Sequence, residues 1–243
     1  MHFTSDTSSE GVREQLFTVG DVPGVLWTPE DATTPRPLIF LGHGGGRHKK
    51  APDIAALAHR LVTEQRYAVT SADVPGHGDR PTDETYDRIA TENQARIEAG
   101  EDPAPLIAAF QALVADQTVP EWQGVLDVVQ DLPHVGRGPV GYWGVSLGCG
   151  LGVPFIAAEP RVAAAVVGLG GASASAETAR KITVPIAFLL QWDDERVPRP
   201  EALALYGAFA SPEKTLHANP GKHGEVPDFE LDDTLHFFAR HLS

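Results

Sequence analysis

Cysteine is nearly absent: Cys149 stands alone among 243 residues. A single thiol cannot close an internal disulfide, and no Cys/His spacing of the metal-binding kind surrounds it, so neither a disulfide framework nor a zinc module organises the chain. Long apolar runs are missing as well. Nothing approaches eighteen consecutive apolar residues, and the opening thirty residues hold no basic segment followed by an apolar one, which makes a cytoplasmic location the expectation. Positive charge is scarce, with 19 Lys and Arg against 33 Asp and Glu, a formal net charge of -14. Such a field repels phosphate backbones and anionic lipid surfaces, so neither a nucleic acid nor a membrane is expected as a partner. No Gly-x-x-x-x-Gly-Lys-Ser/Thr loop occurs, the glycines of 144–152 do not complete Gly-x-Gly-x-x-Gly, and no His-Glu-x-x-His spacing is present. No cofactor and no metal are expected. What these absences leave is a soluble protein acting on small molecules, as a monomer or a homodimer.

Short apolar runs alternate with longer helical patterns along most of the chain, the signature of a largely parallel sheet covered by helices. Strand-like runs fall at 14–19, 24–28, 37–42, 67–73, 139–145, 162–170, 184–191 and 214–219. Several are continuously apolar, as strands buried on both faces are. In the helical pattern 51–65, Ile54, Leu57, Ala58, Leu61 and Val62 share one face, and the pattern at 227–242 has a similar stripe. The length suits one α/β domain spanning 1–243, with a mostly parallel central sheet of about eight strands flanked by helices. One connection is oversized. The segment 74–138, between the fourth and fifth strands, carries three helical stretches at 85–100, 103–117 and 120–132, far more than a crossover requires. It reads as an inserted helical elaboration, either a packing element or a lid that shapes a pocket.

Within that frame Gly144-Val145-Ser146-Leu147-Gly148 sits between a strand-like run and an apolar helical one. This is the Gly-x-Ser-x-Gly pattern of a nucleophile elbow, where a sharp strand-to-helix turn leaves no room for a Cβ at either flank. A serine hydroxyl is a weak nucleophile until a base takes its proton, and that base must itself be oriented by an acid. Downstream, the apolar run 184–191 ends in Asp193 and Asp194, at the kind of strand end where an open α/β sheet places its site residues. Further on, His223 lies in a Pro/Gly loop just before the final helical pattern. His217 falls inside a strand-like run, and His236 and His241 ride the last helix, which leaves His223 as the candidate base.

The order Ser, Asp, His, together with a glycine-rich turn after the run 37–42, resembles the α/β-hydrolase superfamily, and within it the small dienelactone-hydrolase-like and serine esterase members. The likeness spans Leu38 to His223. It implies Asp194 rather than Asp193 as the acid, because the acid of that family stands three residues before the Val of a D-x-x-V-P stretch, here Asp194 to Val197. It also implies that His43-Gly44-Gly45-Gly46 is the oxyanion loop, with the backbone N–H groups of Leu147 and Gly45, or alternatively Gly44, as donors. The stretch from Asp73 to Gly78 resembles a segment that braces this loop. His43, Arg47 and Trp143 are the candidate substrate contacts. The basic run Arg47-His48-Lys49-Lys50 reads as a solvated turn, with attraction of a substrate carboxylate as its alternative.

The chain departs from dienelactone hydrolases proper in carrying serine, not cysteine, at the centre of the elbow. Cys149, three residues on, reads as a buried inert thiol on the following helix. The expectation is a serine hydrolase that cleaves carboxylic esters of a small-molecule substrate through an acyl-enzyme. Amide, peptide or thioester hydrolysis on the same three residues is the first alternative, and a non-catalytic binding protein of the same fold is the second.

Overall fold

The computed structural model describes residues 1–242. Strands β4 (Leu38–Gly42), β5 (Ala68–Ala72) and β8 (Ile186–Gln191) are buried along their whole length, so their sequences do not alternate: β4 and most of β8 are apolar, and the hydroxyls of Thr70 and Ser71 in β5 donate to the carbonyls of Val25 and Leu41. They belong to a nine-stranded sheet completed by β1 (His2–Ser9), β2 (Val12–Val19), β3 (Val22–Pro29), β6 (Val140–Val145), β7 (Val162–Gly168) and β9 (Lys214–Asn219). The order is β1-β2-β3-β5-β4-β6-β7-β8-β9. The pairs from β1 to β5 are antiparallel and all the others parallel.

The strand beyond the expected eight is β1. Its sequence, HFTSDTSS, is almost wholly exposed and has no apolar face, so nothing in its pattern distinguishes it from a polar turn. Only pairing with β2 makes it a strand. The helical elaboration consequently lies between the fifth and sixth strands.

Among the described residues seven helices accompany the sheet: α1 (Pro52–Gln65), α2 (Glu84–Glu98), α3 (Pro103–Gln130), α4 (Leu147–Ala158), α5 (Ala172–Ala179), α6 (Arg199–Ala208) and α7 (Phe229–His241). One face of α1 buries Ile54, Leu57, Ala58, Leu61 and Val62, the stripe expected from their spacing. The two helical stretches expected at 103–117 and 120–132 are one helix, α3, which runs through Pro120. A proline inside a helix removes a hydrogen bond and costs ~3 kcal/mol, so tertiary packing must offset it. The offset is visible in Trp122, whose ring lies 5.0 Å from Phe40, 5.3 Å from Phe155 and 6.0 Å from Tyr142, centroid to centroid. By contrast α2 buries no residue, and it leans on α3 through Tyr86, whose hydroxyl donates to Gln117. Among the described residues no helix is long and apolar enough to cross a membrane.

The direction in which the sheet is wound reverses at β4, flanked by β5 on one side and β6 on the other. In open α/β sheets the crevice outside the carboxyl ends of the strands at such a reversal is where ligands bind. Gly42 ends β4 and Val145 ends β6, so the glycine loop and Ser146 both emerge there.

Candidate active site

Ser146 leaves β6 with φ +58° and ψ −119°, a conformation that side-chain-bearing residues rarely adopt. The glycines around it are sterically required. A Cβ on Gly144 would lie 2.7 Å from the Gly148 carbonyl oxygen, and one on Gly148 would lie 2.3 Å from the carbonyl oxygen of Gly42. From beneath, the buried Tyr142 hydroxyl donates to the Gly148 carbonyl at 2.6 Å and ties the first turn of α4 to β6. Ser146 occupies the N-cap position of α4, yet its hydroxyl makes no capping bond. A serine at that position ordinarily accepts from a backbone N–H of the first turn. Here Oγ lies instead 2.9 Å from His223 Nε2.

The opposite nitrogen of His223, Nδ1, lies 2.8 Å from Asp194 Oδ2. A carboxylate only accepts, so Nδ1 carries the proton and Nε2 is left as the acceptor facing Ser146. Asp194 is itself fixed. Its Oδ1 accepts from the N–H groups of Arg196 at 2.8 Å and Val197 at 2.9 Å, and its side chain is 3% exposed. Such an Asx turn uses the residues two and three positions on, which gives the D-x-x-V spacing its physical content. Asp193 is exposed, and its N–H donates to the carbonyl of Gly221.

Two residues that sequence reasoning missed hold the histidine loop. Gln191, buried at the end of β8, directs its amide nitrogen at the carbonyls of Pro220, Lys222 and Glu225. Glu195 accepts from the His223 N–H at 3.0 Å, and that bond holds its carboxyl below the usual range. A polar side chain closing an otherwise apolar strand was the available signal for Gln191; nothing in its pattern separates Glu195 from a solvated acid. His217 pairs with the buried Glu230, which also accepts from Asn219, so β9 is pinned to α7 just outside the loop.

Leu147 opens α4, so its N–H has no carbonyl of a preceding turn to bond. Gly45 lies beside it, since a Cβ built there would sit 3.9 Å from the Leu147 Cβ. Gly44 and Gly45 border the same cavity as Ser146 and His223. With no side chains in the way, their backbone is open to a bound group.

His43, expected as a substrate contact, does not line either cavity. Its ring is fully buried beneath the loop, with Nδ1 3.0 Å from the Gly44 carbonyl and Nε2 accepting from the Val74 N–H at 3.3 Å. Burial pushes its pKa down to about 4, so it is a neutral strut. The basic run is a solvated turn only in part: Arg47 and His48 are exposed, but Lys49 is not. Lys49 is buried, and its ammonium bonds Asp73 at 2.7 Å and Asp79 at 2.6 Å, while its backbone N–H donates to the second oxygen of Asp73. Lys50 pairs with Glu14. The buried Asp73 carboxylate therefore anchors the residues that follow the glycine loop, and Gly78 leaves it room, since a Cβ there would fall 2.3 Å from it. Arg47 and Trp143 do line the cavity.

That cavity, of about 480 Å³, also has Asp53, Arg196 and Asp228 in its walls. A second one, of about 190 Å³, meets it at Ser146, Leu169, Arg196 and His223. Leu169 has φ +52°, so two strained residues lie side by side at the junction.

Cys149 lines neither cavity. It is fully buried, a Cβ on Gly170 would lie 2.7 Å from its sulfur, and burial pushes its thiol up to about 12. No thiolate forms there near neutral pH. The Cys149→Ala variant is expected to keep kcat/KM for a short ester within about threefold, less than 1 kcal/mol of barrier. A hundredfold loss in a steady-state assay would return the thiol to consideration.

No protein-family model matches the chain, and no curated protein sequence matches it. Among solved structures, a cold-adapted esterase from an Arctic intertidal metagenomic library, in complex with PEG, is 30% identical over 100% of both chains, with a TM-score of 0.82. The acetyl xylan esterase from Paenibacillus sp. R4 is 16% identical over 99% of this chain and 88% of its own, with a TM-score of 0.71. Acetyl xylan esterase 1 from a Thermoanaerobacterium species is 16% identical over 100% of this chain and 88% of its own, with a TM-score of 0.69. The likeness to these last two is a likeness of fold alone.

Proposed function

We propose, given that the chain belongs to the α/β-hydrolase superfamily, that it is a serine hydrolase of carboxylic esters working through an acyl-enzyme. The observation that carries this reading is the unbroken line from Ser146 Oγ to His223 Nε2 and from His223 Nδ1 to Asp194, at the junction of two cavities. Ser146 Oγ attacks the acyl carbon as His223 Nε2 takes its proton. Asp194 holds the ring in the accepting tautomer and stabilises the imidazolium that forms. The N–H groups of Leu147 and Gly45 receive the negative charge on the carbonyl oxygen, and the lost capping bond leaves the helix N-terminus free for that charge. His223 then returns the proton to the leaving alcohol. Water, deprotonated by the same nitrogen, attacks the acyl carbon, and collapse of that intermediate releases the acid and restores Ser146 Oγ–H.

Esters are favoured over amides and thioesters because the solved relative at 30% identity is an esterase. Serine at the elbow also separates this chemistry from that of dienelactone hydrolases proper.

The test uses a fluorophosphonate, which traps an activated serine covalently. We expect one adduct in the intact mass, on the peptide that contains Ser146, with parallel loss of nitrophenyl acetate turnover. A native protein that neither turns over the ester nor forms the adduct would reject the serine-hydrolase reading. An adduct on another serine would reject the nucleophile.

A further inference from the structure

The two cavities differ in chemistry as well as size. The larger has Arg47, Asp53, Arg196 and Asp228 in its walls beside Trp143, Leu189 and Leu231, whereas the smaller shares Arg196, adds Glu201 and is otherwise mainly apolar. The smaller is walled on one side by α3, whose Ala104, Ile107, Ala108 and Gln111 project at i, i+3, i+4 and i+7 spacing onto a single face. Gly170, Gly171 and Ala174 face them from the turn after β7 and from α5. Gln111 of α3 packs against α4 at Gly150, where an added Cβ would lie 2.6 Å from its side-chain amide.

Resting on the serine esterase reading above, we infer that the smaller cavity holds the acyl half of the ester and that α3 restricts this half to short, unbranched chains. The assignment follows from the order of events. Once the alcohol has left, water must reach His223 Nε2 while the acyl group still hangs on Ser146. The cavity vacated by the alcohol must therefore be one that water fills, and the larger, more polar cavity, with four charged side chains against the two of the smaller, suits that role. The acyl chain, bound throughout, occupies the other. Size sets the scale, because a space of about 150 Å³ accepts a benzene ring. A space of about 190 Å³ thus houses an acyl group of roughly two to six carbons. Ala108 governs the depth, since a longer side chain at that position points into the space. Ile107, half in solvent, forms the outer lip.

The measurement is kcat/KM for nitrophenyl esters of acetic, butyric and octanoic acid, with the native chain, Ala108→Leu and Ile107→Ala. The native protein is expected to hydrolyse acetate and butyrate well and octanoate at least about tenfold more slowly, on the scale by which a pocket rejects a misfitting group. In Ala108→Leu the butyrate-to-acetate ratio of kcat/KM is expected to fall at least about tenfold, with the thermal melt unchanged because leucine suits a helix nearly as well as alanine. Ile107→Ala is expected to raise the octanoate-to-butyrate ratio. An acyl-length profile that Ala108→Leu leaves unchanged overturns the inference. So does a shift confined to a series of acetates of increasing alcohol size, which would place the alcohol in the smaller cavity. A native chain inert toward acetate and unlabelled by fluorophosphonate instead sinks the esterase reading, and this inference with it.

Discussion

Replacing Ser146 by alanine is expected to lower kcat/KM for a short-chain ester by about 10⁴- to 10⁶-fold, on the order of 5–8 kcal/mol of barrier. The loss is this large because no neighbouring group can take the place of Oγ. The thiol of Cys149 is buried and protonated, and His223 already spends Nδ1 on Asp194. What survives is the residual catalysis over water that binding and backbone donors supply. Stability is expected to move little. The strain at φ +58° belongs to the backbone and to Cβ, both of which alanine retains, and no capping bond is lost because the serine makes none. Steady-state kinetics beside a thermal melt separates the two effects. Activity above about a hundredth of native in the variant would exclude Ser146 as nucleophile, since losing a triad serine costs far more.

Asp194→Asn is expected to cost about 10⁴-fold in kcat, on the order of 5 kcal/mol, with KM changed far less. An asparagine keeps one oxygen for the N–H groups of Arg196 and Val197, so the Asx turn persists. Its NH₂ then faces His223 Nδ1 and donates to it. The ring must place its proton on Nε2, where it blocks acceptance from Ser146. Asp193→Asn, at an exposed side chain one residue away, is expected to leave kcat unchanged and serves as the control. Equal losses in both variants would remove Asp194 from its role.

Much of this arrangement is legible in the sequence because it is local. The elbow is five consecutive residues whose glycines answer backbone contacts within the turn, and the acid's spacing is a turn of four residues. His223 stands out by elimination, since its rivals lie in regular elements. Residues that act across the fold are harder to read. Lys49 looks like part of a solvated basic run until Asp73, on the next strand's end, is brought beneath it. His43 looks like a ligand contact because it adjoins the oxyanion glycines, but which side of the loop a ring takes is set by Val74, thirty-one residues away. The same holds for the elements. An edge strand without an apolar face is defined by its neighbour, and a proline within α3 is tolerated only because Trp122 packs on Phe40 and Phe155.

The tethering of the histidine loop has a dynamic consequence. Local opening costs least where backbone hydrogen bonds are exposed and few apolar contacts must break. Around His223 side chains brace the backbone: the Gln191 amide spans three carbonyls, Glu195 holds the His223 N–H, and Glu225 closes on the Lys222 N–H. Across the junction, α2 buries nothing. Local opening is thus expected first in α2 and the loops at its ends, ahead of the loop that carries His223.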